Sequence, residues 1–208
     1  MRTTLWSVNK QRGALFGIDA RISMAIFGAL SIVLGYTAFG KITSSREAAL
    51  YKELQEIDYA IRQYQSDMGT FPMFTINGAT FSPGVVVNAT RSYNALWSTT
   101  NNVAAAFIPK WNGPYLNTDT DNHPIYGTYS VIYATGTRGI CTSTNTCYAW
   151  VSLTNVPAEV WSAVNRYVDE DNGASPEATP VTTGRVQADG LTDPRILYYR
   201  SVGRSPGY

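Results

Sequence analysis

One apolar run dominates what this chain can fold into. From Ile22 to Phe39 (ISMAIFGALSIVLGYTAF) there is no charge, no proline and no turn signal. As a helix the run measures roughly 27 Å, close to the ~30 Å of a hydrocarbon core. Core helices of soluble proteins usually carry shorter uninterrupted runs, so a membrane span is the favoured reading. A cleaved secretory signal competes with it and would need small residues at a cut site beyond the apolar stretch. Gly40-Lys41-Ile42-Thr43-Ser44-Ser45-Arg46 follows instead, and the helical pattern continues through it. Arg2, Lys10 and Arg12 precede the run, Arg21 lies at its edge, and the first acid is Asp19. Basic residues stay on the cytoplasmic side of a span, so the N-terminus is expected inside and the remainder exported.

Past the span, Leu50, Leu54, Ile57, Ile61, Tyr64 and Met68 recur at alternating intervals of four and three residues. That is one stripe of a helix, with Lys52, Glu53, Glu56, Arg62 and Gln63 falling away from it. Gly69 suits a left-handed cap, and Pro72 blocks resumption. The pattern predicts a continuous stem from about Ile18 to Met68. Its first half, 18–40, is the transmembrane part and its second, 41–69, the amphipathic part. The stripe covers too few heptads to favour a coiled coil, so it is expected to pack on the downstream domain of the same chain.

Residues 70–208 are long enough for one core and too short to suggest two. Tyr126–Ala134 and Cys147–Leu153 read as a hairpin, Val160–Tyr167 as a short helix and Ile196–Val202 as a last strand. Residues 74–110 read as a loop with helical pieces around Ala95–Trp97 and Val103–Phe107. The fold class is therefore α+β, a long N-terminal helix packed on a small antiparallel sheet. Cys141 and Cys147 are the only cysteines. With export expected, a small disulfide loop is the natural reading, worth about 2 kcal/mol because a short loop loses little entropy.

The chemistry-bearing residues are sparse. His123 is the one histidine, and no phosphate-binding loop, nucleophile elbow or His-Glu-x-x-His accompanies it. The chain is read as non-enzymatic. Near-neutral charge with scattered Lys and Arg argues against nucleic acid as a partner. Asp169-Glu170-Asp171-Asn172-Gly173 is the one concentrated acidic cluster. Asp169, Asp171 and Asn172 are candidate oxygen ligands for calcium, although the full EF-hand spacing is absent and a solvated acidic turn is the plainer reading. No cofactor is required.

Three segments give the chain a resemblance. Lys10-Gln11-Arg12-Gly13 before the apolar helix looks like a prepilin leader. Ile61–Pro72 (IRQYQSDMGTFP) looks like the end of a pilin stem. Trp111-Asn112-Gly113-Pro114-Tyr115-Leu116, followed by Pro124-Ile125-Tyr126-Gly127, is similar to the segment between stem and sheet in pseudopilins. Ala163–Val186 adds a short helix, an acidic turn and a Thr-Gly-Arg-Val stretch. The chain resembles type IV pilin-like proteins, closest to the pseudopilins of type II secretion. The resemblance implies a pilin-like fold and a structural subunit that polymerises through its N-terminal helix into a pilus or pseudopilus. It implies a prepilin peptidase cutting after Gly13, so that 1–13 is a leader and Ala14 the new, methylated terminus. A cut after Gly17, exposing Ile18, is the alternative. It further implies other pilins and an inner-membrane assembly platform as partners, and a bacterial inner-membrane location with the globular domain in the periplasm or on a filament. Some pseudopilins hold calcium in a C-terminal loop, which adds interest to the acidic cluster.

The family carries a glutamate five residues into the mature chain. Here Ile18 is fifth after a cut at Gly13, and Asp19 is sixth. Asp19 either stands in for that glutamate in assembly or is an interfacial acid beside Arg21. A single-pass anchored binding or sensor domain that never polymerises is the rival reading of the whole chain.

Overall fold

The computed structural model describes residues 12–72, 89–139, 146–170, 183–189 and 193–204. Two compact units divide the chain, Met1–Arg46 and Glu47–Tyr208. Helix α1, Arg12–Met68, starts in the first and ends in the second. It begins six residues before the expected start at Ile18. It ends where the sequence predicts: Gly69 takes a φ of 73° and its N–H donates to the carbonyl of Gln65 at 2.9 Å. Only glycine holds that backbone conformation without a Cβ penalty.

In the first unit, the helical stretch Gly17–Gly35 is 19 residues long, apolar enough to cross a membrane, and has no buried residue. In the second unit the α1 stripe behaves as its spacing predicts. Leu50, Leu54, Ile57, Ile61, Tyr64 and Met68 are all buried. Full burial of a side chain such as Leu54 contributes about 2 kcal/mol.

Their partner is a four-stranded antiparallel sheet in the order β1-β2-β4-β3. The strands are β1 Tyr129–Thr135, β2 Cys147–Val156, β3 Val186–Asp189 and β4 Arg195–Arg204. Side chains alternate across a strand, so Tyr129, Val131, Ala149, Val151, Leu153, Val186, Ala188, Leu197 and Tyr199 face one way and join the α1 stripe in one core. Helix α2, Ala89–Asn94, adds Tyr93, whose ring stacks on Tyr129 at 5.3 Å. Helix α3, Ala158–Asp169, adds Val160, Trp161 and Val164.

Several local expectations shift. The first strand starts three residues later than Tyr126, and α2 lies one turn before Ala95–Trp97. Val103–Phe107 forms turns, with a 3-10 turn at Ile108–Lys110. The short strand β3 was not expected at all. Val-Gln-Ala-Asp is short and half polar, and its strand geometry comes from pairing with β4.

The sheet's second face is covered as well. Trp150 and Gln187 point away from the α1 core, yet neither is solvent-accessible. The turn after β1 folds across this face. Trp150 Nε1 donates to the carbonyl of Thr135 at 3.1 Å, and Gln187 Nε2 donates to the carbonyl of Gly136 at 2.9 Å. Arg138 Nε donates to Gln187 Oε1 at 2.9 Å, with its guanidinium 4.2 Å from the Tyr198 ring centre. Residues next to the β1 edge thus reach the strand at the opposite edge.

Candidate assembly surface

The largest bare apolar surface among the described residues belongs to α1. Met24, Phe27, Ile32 and Leu34 are each at least 66% exposed, and Ile18, Ile22, Ile26, Leu30 and Val33 more than half. No soluble helix leaves such residues open all round, because each exposed side chain forgoes about 1.5–3 kcal/mol of burial. The stretch is long and apolar enough to cross a membrane.

The expected processing and assembly residues lie at the start of this helix. The backbone of Gly13 and Ala14 is helical within α1, and so is that of Gly17 and Ile18. Asp19 is solvent-exposed on the same helix, beside Ile18 at the start of the apolar surface. Among the described residues it forms no ion pair with Arg21. Two residues apart, they project about 200° from each other around a helix.

The other sequence candidates sit in the second unit. Cys147 is buried at the head of β2. Cys141 lies outside the described residues, as do Asp171 and Asn172. Asp169 has a definite task. Its carboxylate accepts from the backbone N–H of Arg185 at 2.8 and 2.9 Å and from that of Val186 at 2.8 Å. It ties the end of α3 to the start of β3. Gly184 beside it has a φ of 85°, and a Cβ there would press on the same carboxylate. Among the described residues no group of three or more His, Cys, Asp or Glu side chains could hold a metal ion.

Two polar pins hold the sheet domain to α1; Asp58 drew no notice in the sequence, and His123 was noted there only as the one histidine. Asp58 is buried, receives Arg62 Nη2 at 2.9 Å, and accepts a short hydrogen bond from Ser201 of β4. Its place one residue after Ile57, at the rim of the stripe, was the available signal. On the other side His123 Nδ1 accepts from the backbone N–H of Ile125 at 3.0 Å and of Tyr126 at 3.1 Å. The proton of neutral His123 is therefore on Nε2, which lies 3.4 Å from Glu53 of α1. Both ring nitrogens of His123 are thus engaged within the domain. The segment 111–126 runs down α1 between Asp67, which takes the Tyr115 hydroxyl at 3.0 Å, and Glu53.

Electrostatic shifts follow burial. Desolvation pushes the Tyr64, Tyr93 and Tyr129 hydroxyls well above the usual tyrosine range, with Glu53 adding to the effect at Tyr93 and Tyr129. Glu47 is raised from the usual carboxylate range, first by burial against α3, with Arg166 opposing and Glu159 reinforcing the shift. These are packing consequences spread over the core and do not converge on one cleft. Comparison with protein-family models, curated proteins and solved structures finds no match.

Proposed function

We propose that the chain is a structural subunit of a type IV pilin-like filament, a pilin or pseudopilin. The observation that carries the reading is the α1 helix itself. Its Gly17–Gly35 stretch has no buried residue, while its later turns are committed to a sheet core. A helix of that kind resides in lipid until the apolar stretch packs against the same stretch of other copies. Extraction then exchanges lipid contacts for helix–helix contacts, and an external motor supplies the work. The sheet domain forms the outer shell, with a Cys141–Cys147 disulfide suited to an exported compartment. Asp19, near the start of the apolar surface, is the residue assigned to register one copy against the next.

The test is the N-terminal peptide and intact mass of the protein from its host, with and without the prepilin peptidase. Loss of residues 1–13, or 1–17, with a methylated new terminus dependent on that enzyme is the expected result. An intact Met1 terminus in the membrane fraction would overturn the reading and leave an anchored, non-polymerising domain.

A further inference from the structure

Two surfaces of the second unit complement one another and lie on different flanks of α1. The first is a groove of about 440 Å³ between the solvent side of α1 and the segment beside it, lined by Lys52, Gln55, Glu56, Tyr59, Leu116 and Asn117. Tyr59 is 58% exposed. Lys52 and Glu56 stand one turn apart, and among the described residues neither closes an ion pair. The groove thus offers a cation, an anion and an open aromatic ring.

The second surface is the outer side of α3 at its end. Tyr167 is half exposed there, stacked at 5.6 Å on Tyr51 of α1. Arg166 and Glu170 flank it, both exposed and, among the described residues, neither in an ion pair. Arg166 to Glu170 repeats the four-residue interval of Lys52 to Glu56, about 6 Å along a helix axis. Set antiparallel, the two pairs place Arg166 against Glu56 and Glu170 against Lys52, which brings Tyr167 between them at the level of Gln55.

The surfaces cannot meet within one chain. Helical geometry puts Glu47 and Tyr51, which face α3, roughly 120° around α1 from Lys52, Glu56 and Tyr59. Each copy therefore presents both halves of one contact on separate flanks. Contacts of this head-to-tail kind build a ring where the rotation between copies closes and an open helical array where it does not.

We propose that the groove receives the Arg166–Tyr167–Glu170 surface of a second copy of this chain. This rests on the filament-subunit reading and names the contact between its outer domains. The pairing sets register and partner choice more than affinity, because exposed charge pairs act mainly on specificity.

The test uses full-length protein in membranes, with two differently tagged copies, one carrying Asn117→Cys and the other Ser162→Cys, treated with a short bis-maleimide. The expected result is a hetero-tagged cross-link, and a ladder of multimers when both cysteines are on one chain. Lys52→Glu lowers the yield roughly fivefold or more, and Lys52→Glu with Glu170→Lys restores it. Tagged copies that still co-purify without cross-linking would show that the subunits assemble through another surface and overturn this contact alone. Copies that fail to co-purify would overturn the subunit reading, and this contact with it.

Discussion

Replacing Asp169 by alanine separates a structural carboxylate from a calcium ligand. The substitution removes the acceptor of two backbone donors, Arg185 N–H and Val186 N–H, held at 2.8–2.9 Å. A hydrogen bond to a charged acceptor is worth ~1.5–3 kcal/mol when its donor is left unpaired. Both donors are partly buried, so water recovers some of the loss. The expected cost is about 3 kcal/mol, which for a domain of this size lowers the melting temperature by roughly 6–12 °C. Asp169→Asn keeps one oxygen able to face both amides and loses the charge, so about half that shift is expected. The assay is thermal unfolding of the full chain in detergent by circular dichroism, run in EGTA and again in excess calcium. Equal losses in the two buffers are expected from a side chain spent on backbone amides. A loss present in calcium and absent in EGTA would refute the structural account and make Asp169 a metal ligand.

Asp58→Ala removes the acceptor shared by Ser201 and Arg62 and should cost about 2–3 kcal/mol in the same assay; a change under 0.5 kcal/mol would mean that the pin is not a fixed one. Alkaline titration should show Tyr64, Tyr93 and Tyr129 resisting ionisation in the folded chain. Their folded pKa values are raised, so their stabilising contribution is present below an unfolded value of about 10 and is lost as pH rises past it. Absorbance at 295 nm should therefore rise together with loss of circular dichroism, and ionisation of all fourteen tyrosines before unfolding would count against this packing. Phe27→Lys with Leu30→Lys puts two charges into the apolar stretch, each costing about 3 kcal/mol at a span centre. The variant should leave the carbonate-resistant membrane fraction, and its retention there would argue against a span.

Most of the helical architecture was legible because its signals are local and periodic. The α1 stripe, the Gly69 stop and the hairpin strands all rest on intervals of three, four or two residues. The parts that were not legible depend on distant partners. The β3 strand exists by pairing with β4, and the buried side of Trp150 depends on a turn folding over it. The alternation of β2 gave the two faces but not the cover on the second. Asp58 read as an ordinary polar residue and His123 stood out only as the one histidine, since Ser201 and Glu53, their partners, are far away in sequence. Asp169 was singled out for its acidic neighbours, while its actual contacts, the Arg185 and Val186 amides, carry no side-chain signature.

The rim of the sheet has a consequence for how copies of this chain can live side by side. A strand at the edge of a sheet normally offers unpaired backbone groups to any passing strand. In β3 the Val186 N–H is taken by Asp169, and Arg138 Nη2 donates to the carbonyl of Ala188 at 3.4 Å. Both plugs come from outside the sheet, one from a helix and one from a turn. A strand of another copy is thereby refused two of the backbone groups it would need at this border, and order between copies falls to side-chain contacts, which can be undone.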